Sequence, residues 1–158
     1  MDTGEDWMVK KLLSQNADPN RANRGGMTPL HLVARTDSVA MAEILLANGA
    51  KLTKKDAEGM TPLHIAALTG SCGVARMLAK AGASANIPDR DGQTAIHCAV
   101  QADSPASLET LAVLLKDCAA PAVNLRDDRC GSFNIILDHF SRFLSSMPPH
   151  TRRAMYST

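Results

Sequence analysis

An all-α solenoid of stacked helix–turn–helix units, joined by hairpin-like turns, is the fold that this 158-residue sequence predicts. Three observations carry it. The strings TPLHLVA, TPLHIAA and TAIHCAV begin at Thr28, Thr61 and Thr94, successive starts 33 residues apart, and a period of this length marks a repeat array. Around each string the residues follow helix-start and helix-stop signals rather than strand alternation. Hydrophobic residues make up 45% of the chain but aromatics only 3%. The core must therefore come from Leu, Ala, Ile, Val and Met, which suits close-packed short helices better than a β-sandwich.

Each element of the unit has a physical reason. Gly26, Gly59 and Gly92 lie two residues before the threonines, where a tight turn calls for positive φ. The threonine is a helix N-cap, and Pro29 and Pro62 follow at the first helical position, where a missing N–H is harmless. Leu30, Leu63 and Ile96 point inward, and Ala34, Ala66 and Ala67 let neighbouring helices approach closely. A second helix is expected at Val39–Ala47 in one unit and at 74–81 in the next, with Gly49 and Gly82 placed for left-handed C-caps. Leu12, Leu45 and Leu78 share one slot of the period, and Ala17, Ala50 and Ala83 another. Asn20 and Asn86 share a third, in which the middle copy has Thr53. One unit cannot bury its apolar face alone, so stacking makes the core.

These residues resemble the ankyrin repeat. Its T-P-L-H-x-A signature is matched by Thr61-Pro62-Leu63-His64-Ile65-Ala66 and by Thr28-Pro29-Leu30-His31, with Ala34 one place late. The third copy, Thr94-Ala95-Ile96-His97-Cys98-Ala99, replaces proline and leucine conservatively. The resemblance covers roughly residues 7 to 131, and it implies a module that binds other proteins. The expected organisation is a tail at 1–5, a truncated first repeat at 6–24, repeats at 25–57 and 58–90, a stretched repeat at 91–129, a degenerate capping repeat at 130–148 and a flexible tail at 149–158.

The ends depart from the pattern. The first copy has only a second helix within the sequence, which leaves Trp7 and Met8 to be partly exposed or covered by a partner. Self-association through this truncated repeat is one consequence. The fourth unit is longer than the others, with Ser104-Pro105-Ala106-Ser107 expected to lengthen the loop between its helices, and residues 119–123 and 126–129 the connections beyond. Past Gly131, the spacing of Ile136, Phe140, Phe143, Leu144 and Met147 predicts one apolar stripe of a capping helix that Pro148-Pro149 stops.

Several functional classes find no support. A net charge of +1 gives no field that would draw the chain to a nucleic acid. No apolar run approaches the ~18 residues that span a bilayer, so no membrane insertion is expected. Cys72, Cys98, Cys118 and Cys130 include no C-x-x-C pair and are expected to be reduced thiols in a cytoplasmic or nuclear protein. No catalytic motif, cofactor turn or H-E-x-x-H is present, so catalytic residues, cofactors and metal ligands are all expected to be none. Asp89 and Asp91 flank Arg90 as a solvated hairpin tip. His31, His64 and His97 stack along one line, but helix layers about 8–10 Å apart cannot share a zinc ion whose nitrogen ligands lie at about 2 Å. The resemblance implies a structural role for them, hydrogen-bonding across repeats.

The resemblance also carries partner-binding positions. The turn tips give Arg24, Ala57, Glu58, Arg90 and Asp91, and the places after each glycine give Met27, Met60 and Gln93. The first-helix places give Arg35, Thr36, Leu68, Thr69 and Gln101. Arginine and methionine are enriched at interfaces, so a protein partner with an acidic rim and an apolar anchor is expected. The role is that of an adaptor or inhibitor. A stack this short has the size of the ankyrin-repeat inhibitors of cyclin-dependent kinases, and longer arrays inhibit NF-kappa-B. The alternative is a structural segment of a larger scaffold or channel. Asn20, Asn86 and Asn124 further occupy the slot that asparaginyl hydroxylases modify in some ankyrin proteins.

Overall fold

The 33-residue period of the sequence becomes a 33-residue period of helix starts. The structure, a computed structural model, describes residues 4–102 and 104–117, with side chains from residue 9 to 102 and 104 to 116. All of these belong to the first of two units, Met1–Ala122; the second, Val123–Thr158, lies outside them. The described residues form seven helices and no strand: α1 (Gly4–Ser14), α2 (Pro29–Thr36), α3 (Val39–Ala47), α4 (Pro62–Thr69), α5 (Cys72–Lys80), α6 (Ala95–Gln101) and α7 (Pro105–Asp117). First helices α2, α4 and α6 stack on one another, and α3, α5 and α7 form the second layer.

Sequence decides both ends of these helices. Thr28, Thr61 and Thr94 sit as extended N-caps at φ of −85°, −90° and −107°. The second helices α3 and α5 end where the chain reverses: Ala50 N–H donates to Leu45 O at 3.0 Å, and Ala83 N–H to Leu78 O at 2.9 Å, the wide bond of a Schellman motif. Asp37 ends α2 in the left-handed region at φ 54°, and its Oδ1 accepts the Val74 N–H at 2.8 Å. One carboxylate thus satisfies an orphan donor in the first turn of a helix one repeat away.

The fourth unit corrects an expectation. Ser104-Pro105-Ala106-Ser107 does not lengthen the loop: α7 begins at Pro105, in register with Val39 and Cys72. Ser104 N–H donates to Ser107 Oγ and Ser107 N–H to Ser104 Oγ, both at 3.0 Å. This reciprocal cap with proline at the first helical position is the same signal that starts α2 and α4. Leu111 keeps the register of Leu45 and Leu78, and all three are buried. The extra length lies further on, where α7 outlasts the place equivalent to the end of α5. The second helix expected at 74–81 likewise runs Cys72–Lys80, because Ser71 is its N-cap. Trp7 and Met8 side chains, the connections at 119–123 and 126–129 and the helix expected across 136–147 lie outside the described residues.

Core positions repeat as well. Leu30, Leu63 and Ile96 are buried, as are Leu45 and Leu78, with Ala34, Ala66, Ala67 and Ala99 between them. Small side chains at the helix–helix contacts allow close approach and dense packing.

Turn tips join neighbouring repeats by backbone. Ala57 N–H donates to Gly25 O at 2.9 Å and Arg90 N–H to Glu58 O at 3.0 Å. Gly59 stands against this junction at φ 82°, and a Cβ there would lie 2.8 Å from Arg90 N. Gly49, at φ 86°, has nothing within 4 Å of the same atom. Alanine at either glycine should cost about 1–2 kcal/mol for the left-handed conformation. Gly59→Ala should cost measurably more than Gly49→Ala in urea unfolding, because only it also pushes two repeats apart. Equal losses would show that the close approach carries no energy.

Candidate partner-binding surface

Each turn is built by one side chain. Asp56 Oδ1 accepts the N–H groups of Glu58 and Met60, both at 2.9 Å. Asp89 Oδ1 accepts those of Asp91 at 2.9 Å and Gln93 at 2.8 Å, and Asn23 Oδ1 those of Gly25 at 2.9 Å and Met27 at 3.0 Å. Asp89 is therefore a turn-former rather than the solvated tip expected of it; Asp91 is the exposed residue of that pair. Sequence reasoning missed this set. Its signal was present, since residues 23, 56 and 89 are Asn, Asp and Asp at the repeat period.

These turns set the outer row of the surface. Arg24, Ala57, Glu58, Arg90 and Asp91 are exposed along the tips, and Met27, Met60 and Gln93 are half-buried just behind them. Two arginines alternate here with two carboxylates, so the row is not uniformly basic.

The second row lies at the far ends of the first helices. Arg35, Leu68 and Gln101 are exposed at one repeat position of α2, α4 and α6, with Leu68 43% exposed between its polar neighbours. An eight-residue helix is about 12 Å long, so Arg35 stands well away from Arg24 and Arg90. Thr36 and Thr69 border this row, but their hydroxyls bond inward. Thr36 Oγ1 donates to Val33 O at 3.3 Å and Thr69 Oγ1 to Ile65 O at 2.9 Å.

Beneath the surface runs the histidine line. His31 Nδ1 accepts the Thr28 N–H at 3.1 Å, and its Nε2 lies 3.0 Å from Met60 O in the next repeat. His64 repeats this with the Thr61 N–H at 3.2 Å and Gln93 O at 3.2 Å. A ring nitrogen that accepts an amide proton is unprotonated, so both rings carry their proton on Nε2 and donate it across the repeat boundary. His97 Nδ1 accepts the Thr94 N–H at 3.2 Å. Burial holds the imidazoles of His31 and His64 below their usual range, although the carbonyl each faces acts the other way. Among the described residues no group of His, Cys, Asp or Glu is arranged to hold a metal ion.

Asn20 Oδ1 accepts the Lys51 N–H at 2.7 Å and its Nδ2 donates to Gly49 O at 3.0 Å, tying two repeats together. Cys98 is buried, and desolvation pushes its thiol up to about 11. Burial also raises Cys72, helped by the nearby Glu109. Both are free thiols. Cys118, Cys130, Asn124, His139 and His150 lie outside the described residues.

The geometry agrees with a comparison of the sequence with family models. Ankyrin repeats in three copies match residues 2–89 and 56–127, and the chain belongs to the ankyrin-repeat family. No curated protein matches the chain significantly. Ankyrin repeats are modules of protein–protein interaction and typically non-catalytic, and among the described residues no helix is long and apolar enough to cross a membrane.

The histidine line gives stability a defined pH dependence. Folding keeps His31 and His64 neutral, whereas unfolded histidine takes up a proton near 6.5. The unfolded state therefore binds more protons as pH falls through that value, and folding free energy is lost. Urea unfolding should show stability decreasing from about pH 7.5 to about pH 5.5, with a shallower decrease in His31→Gln/His64→Gln. An equal slope in the double variant would show that other groups carry the dependence.

Proposed function

We propose that the chain captures a partner protein as an adaptor or inhibitor, through its turn tips and the exposed side of its first helices. What supports this most is Leu68, an exposed apolar side chain at the centre of the row that Arg35 and Gln101 complete. An apolar anchor ringed by polar groups is how interfaces concentrate their binding energy. Met27 and Met60 add adaptable apolar surface behind the tips. The alternation of Arg24, Glu58, Arg90 and Asp91 modifies the expected partner: a uniformly acidic rim would meet two carboxylates, so complementary patches of both signs suit the tips better. Inhibition of a kinase or of NF-kappa-B would be a special case of the same surface. A structural role within a larger scaffold or channel is a second reading, favoured by the exposed Leu12 and Leu32 at the opposite edge.

Affinity capture with the full chain, followed by mass spectrometry, names the partner. Leu68→Asp should then weaken binding by at least about tenfold, as should joint reversal of Arg24, Arg35 and Arg90 to glutamate. Stability should change by no more than about 0.5 kcal/mol per surface substitution. Affinity unchanged in both variants would mean that this is the wrong surface.

A further inference from the structure

The net charge of +1 conceals an uneven distribution. Behind the turn tips, in the stretches that lead out of the second helices, Arg21, Lys51, Lys54, Lys55 and Lys80 accompany one carboxylate, Asp18, and all six side chains are exposed. Asp18 Oδ1 accepts the Asn20 N–H at 2.9 Å. Arg21, Lys51, Lys54 and Lys80 form no ion pair among the described residues.

Hydrogen bonds set these stretches side by side. The Asn20 side chain bonds Lys51 N–H and Gly49 O in the next repeat, so Arg21 stands beside the lysine-rich stretch. Lys55 Nζ donates to Pro88 O at 2.6 Å and ties that stretch to the following one. Lys80 leads into the third stretch from the last turn of α5, and α5 packs against α3. Arg21 and Lys54 occupy one slot of the period, one layer of about 8–10 Å apart. The five cations form a strip across three layers.

Charges elsewhere do not repeat this. Lys10, Glu43, Arg76 and Glu109 alternate in sign at one slot of the second helices. Carboxylates border the strip at the tips, but Asp56 and Asp89 each hold two backbone N–H groups on Oδ1. Asp2 precedes α1, and Glu5 and Asp6 belong to its first turn, about 12–14 Å along the helix from Ser14. In residues 117–158 Asp117, Asp127, Asp128 and Asp138 are set against five arginines, so that sequence is no acidic counterpart. Five cations brought together repel one another, and an acidic partner relieves that repulsion.

Composition narrows the partner. No aromatic side chain falls among the described ones, so the strip gives bases nothing to stack on. None of the exposed large apolar residues, Leu12, Leu32 and Leu68, belongs to it, so it has no anchor for a bilayer. We propose that the strip is a second docking surface, which takes an extended acidic segment of another protein. Three layers span about 16–20 Å, a length that an extended chain covers in about six residues. Carboxylates three residues apart therefore meet successive layers. The surface lies behind the tips and is separate from the row around Leu68.

The probe is a blocked octapeptide of serine and glycine with glutamate at its second, fifth and eighth places, titrated at low salt into the isotope-labelled full chain. Amide shifts in nuclear magnetic resonance spectra should concentrate on residues 18–22, 49–55 and 80–86, with a dissociation constant of roughly 1 mM. Lys51→Glu/Lys54→Glu should weaken binding at least about fivefold, and Lys80→Gln about twofold. Arg35→Glu/Arg90→Glu changes the net charge equally away from the strip and should stay within about twofold of the unmodified chain. Salt at about 0.5 M should remove the shifts, and the same spectra check that each variant folds. Absence of shifts up to about 10 mM peptide, shifts centred on Leu68, or equal weakening by Arg35→Glu/Arg90→Glu would overturn the proposal. So would an oligothymidylate of equal charge that saturates the same amides at about a tenth of the peptide concentration, since the strip would then read nucleic acid. Sedimentation with phosphatidylserine vesicles that Lys51→Glu/Lys54→Glu abolishes would reassign it to a membrane surface.

Discussion

His31 and His64 each take an amide proton from their own N-cap on Nδ1 and give one from Nε2 to a carbonyl of the next repeat, and the register of the stack depends on that pairing. An imidazole is rigid, so the offset between its two nitrogens fixes the offset between one first helix and the turn that follows it in the stack. The threonine must be extended to present its N–H, proline suits the next place, burial keeps the ring neutral, and the N-cap N–H on Nδ1 sets its tautomer. A protonated ring could not accept the N-cap N–H, and its charge would sit in a poorly solvated position. The signature is therefore a description of a joint rather than of a helix alone.

Most of this architecture was legible in the sequence because the period supplies it repeatedly. Threonine N-caps, buried Leu30 and Leu63, and the left-handed ends at Gly49 and Gly82 each have a local cause that a single repeat already displays. Legibility failed where the cause was a pairing between residues. Ser104 and Ser107 looked like loop because serine and proline are common there, but each hydroxyl accepts the other's N–H and starts a helix. Asp89 looked like solvent-facing charge, yet it organises a hairpin through one oxygen, as Asp56 does in the repeat before it. Asp37 reaches an N–H 37 residues away, a contact that no local window contains.

The proposed partner surface was legible as positions and less so as chemistry. Spacing places Arg24, Ala57 and Arg90 in one row and Arg35, Leu68 and Gln101 in another. It does not show that the rows stand at opposite ends of the helices, nor that Thr36 and Thr69 turn their hydroxyls inward. Neighbouring tips bring Glu58 between Arg24 and Arg90 and Asp91 beside Arg90, so the field varies over a distance comparable to the Debye length. Recognition on such a row favours a matched pattern of charges over a simple excess of one sign.

A repeat array also provides an internal control that most folds lack. Each position occurs several times, so a difference in exposure at one copy reports a difference in neighbours rather than in residue preference. Leucine at positions 12, 45 and 78 is the same side chain in the same slot of a second helix, and Leu12, which no first helix precedes among the described residues, is the exposed copy. Leu32 is exposed where Ile65 and Cys98 are buried for the same reason, since the described residues place no first helix on that side of α2. Leu68 differs: Arg35 and Gln101 at its repeat position are exposed too, so its exposure belongs to the position rather than to one copy.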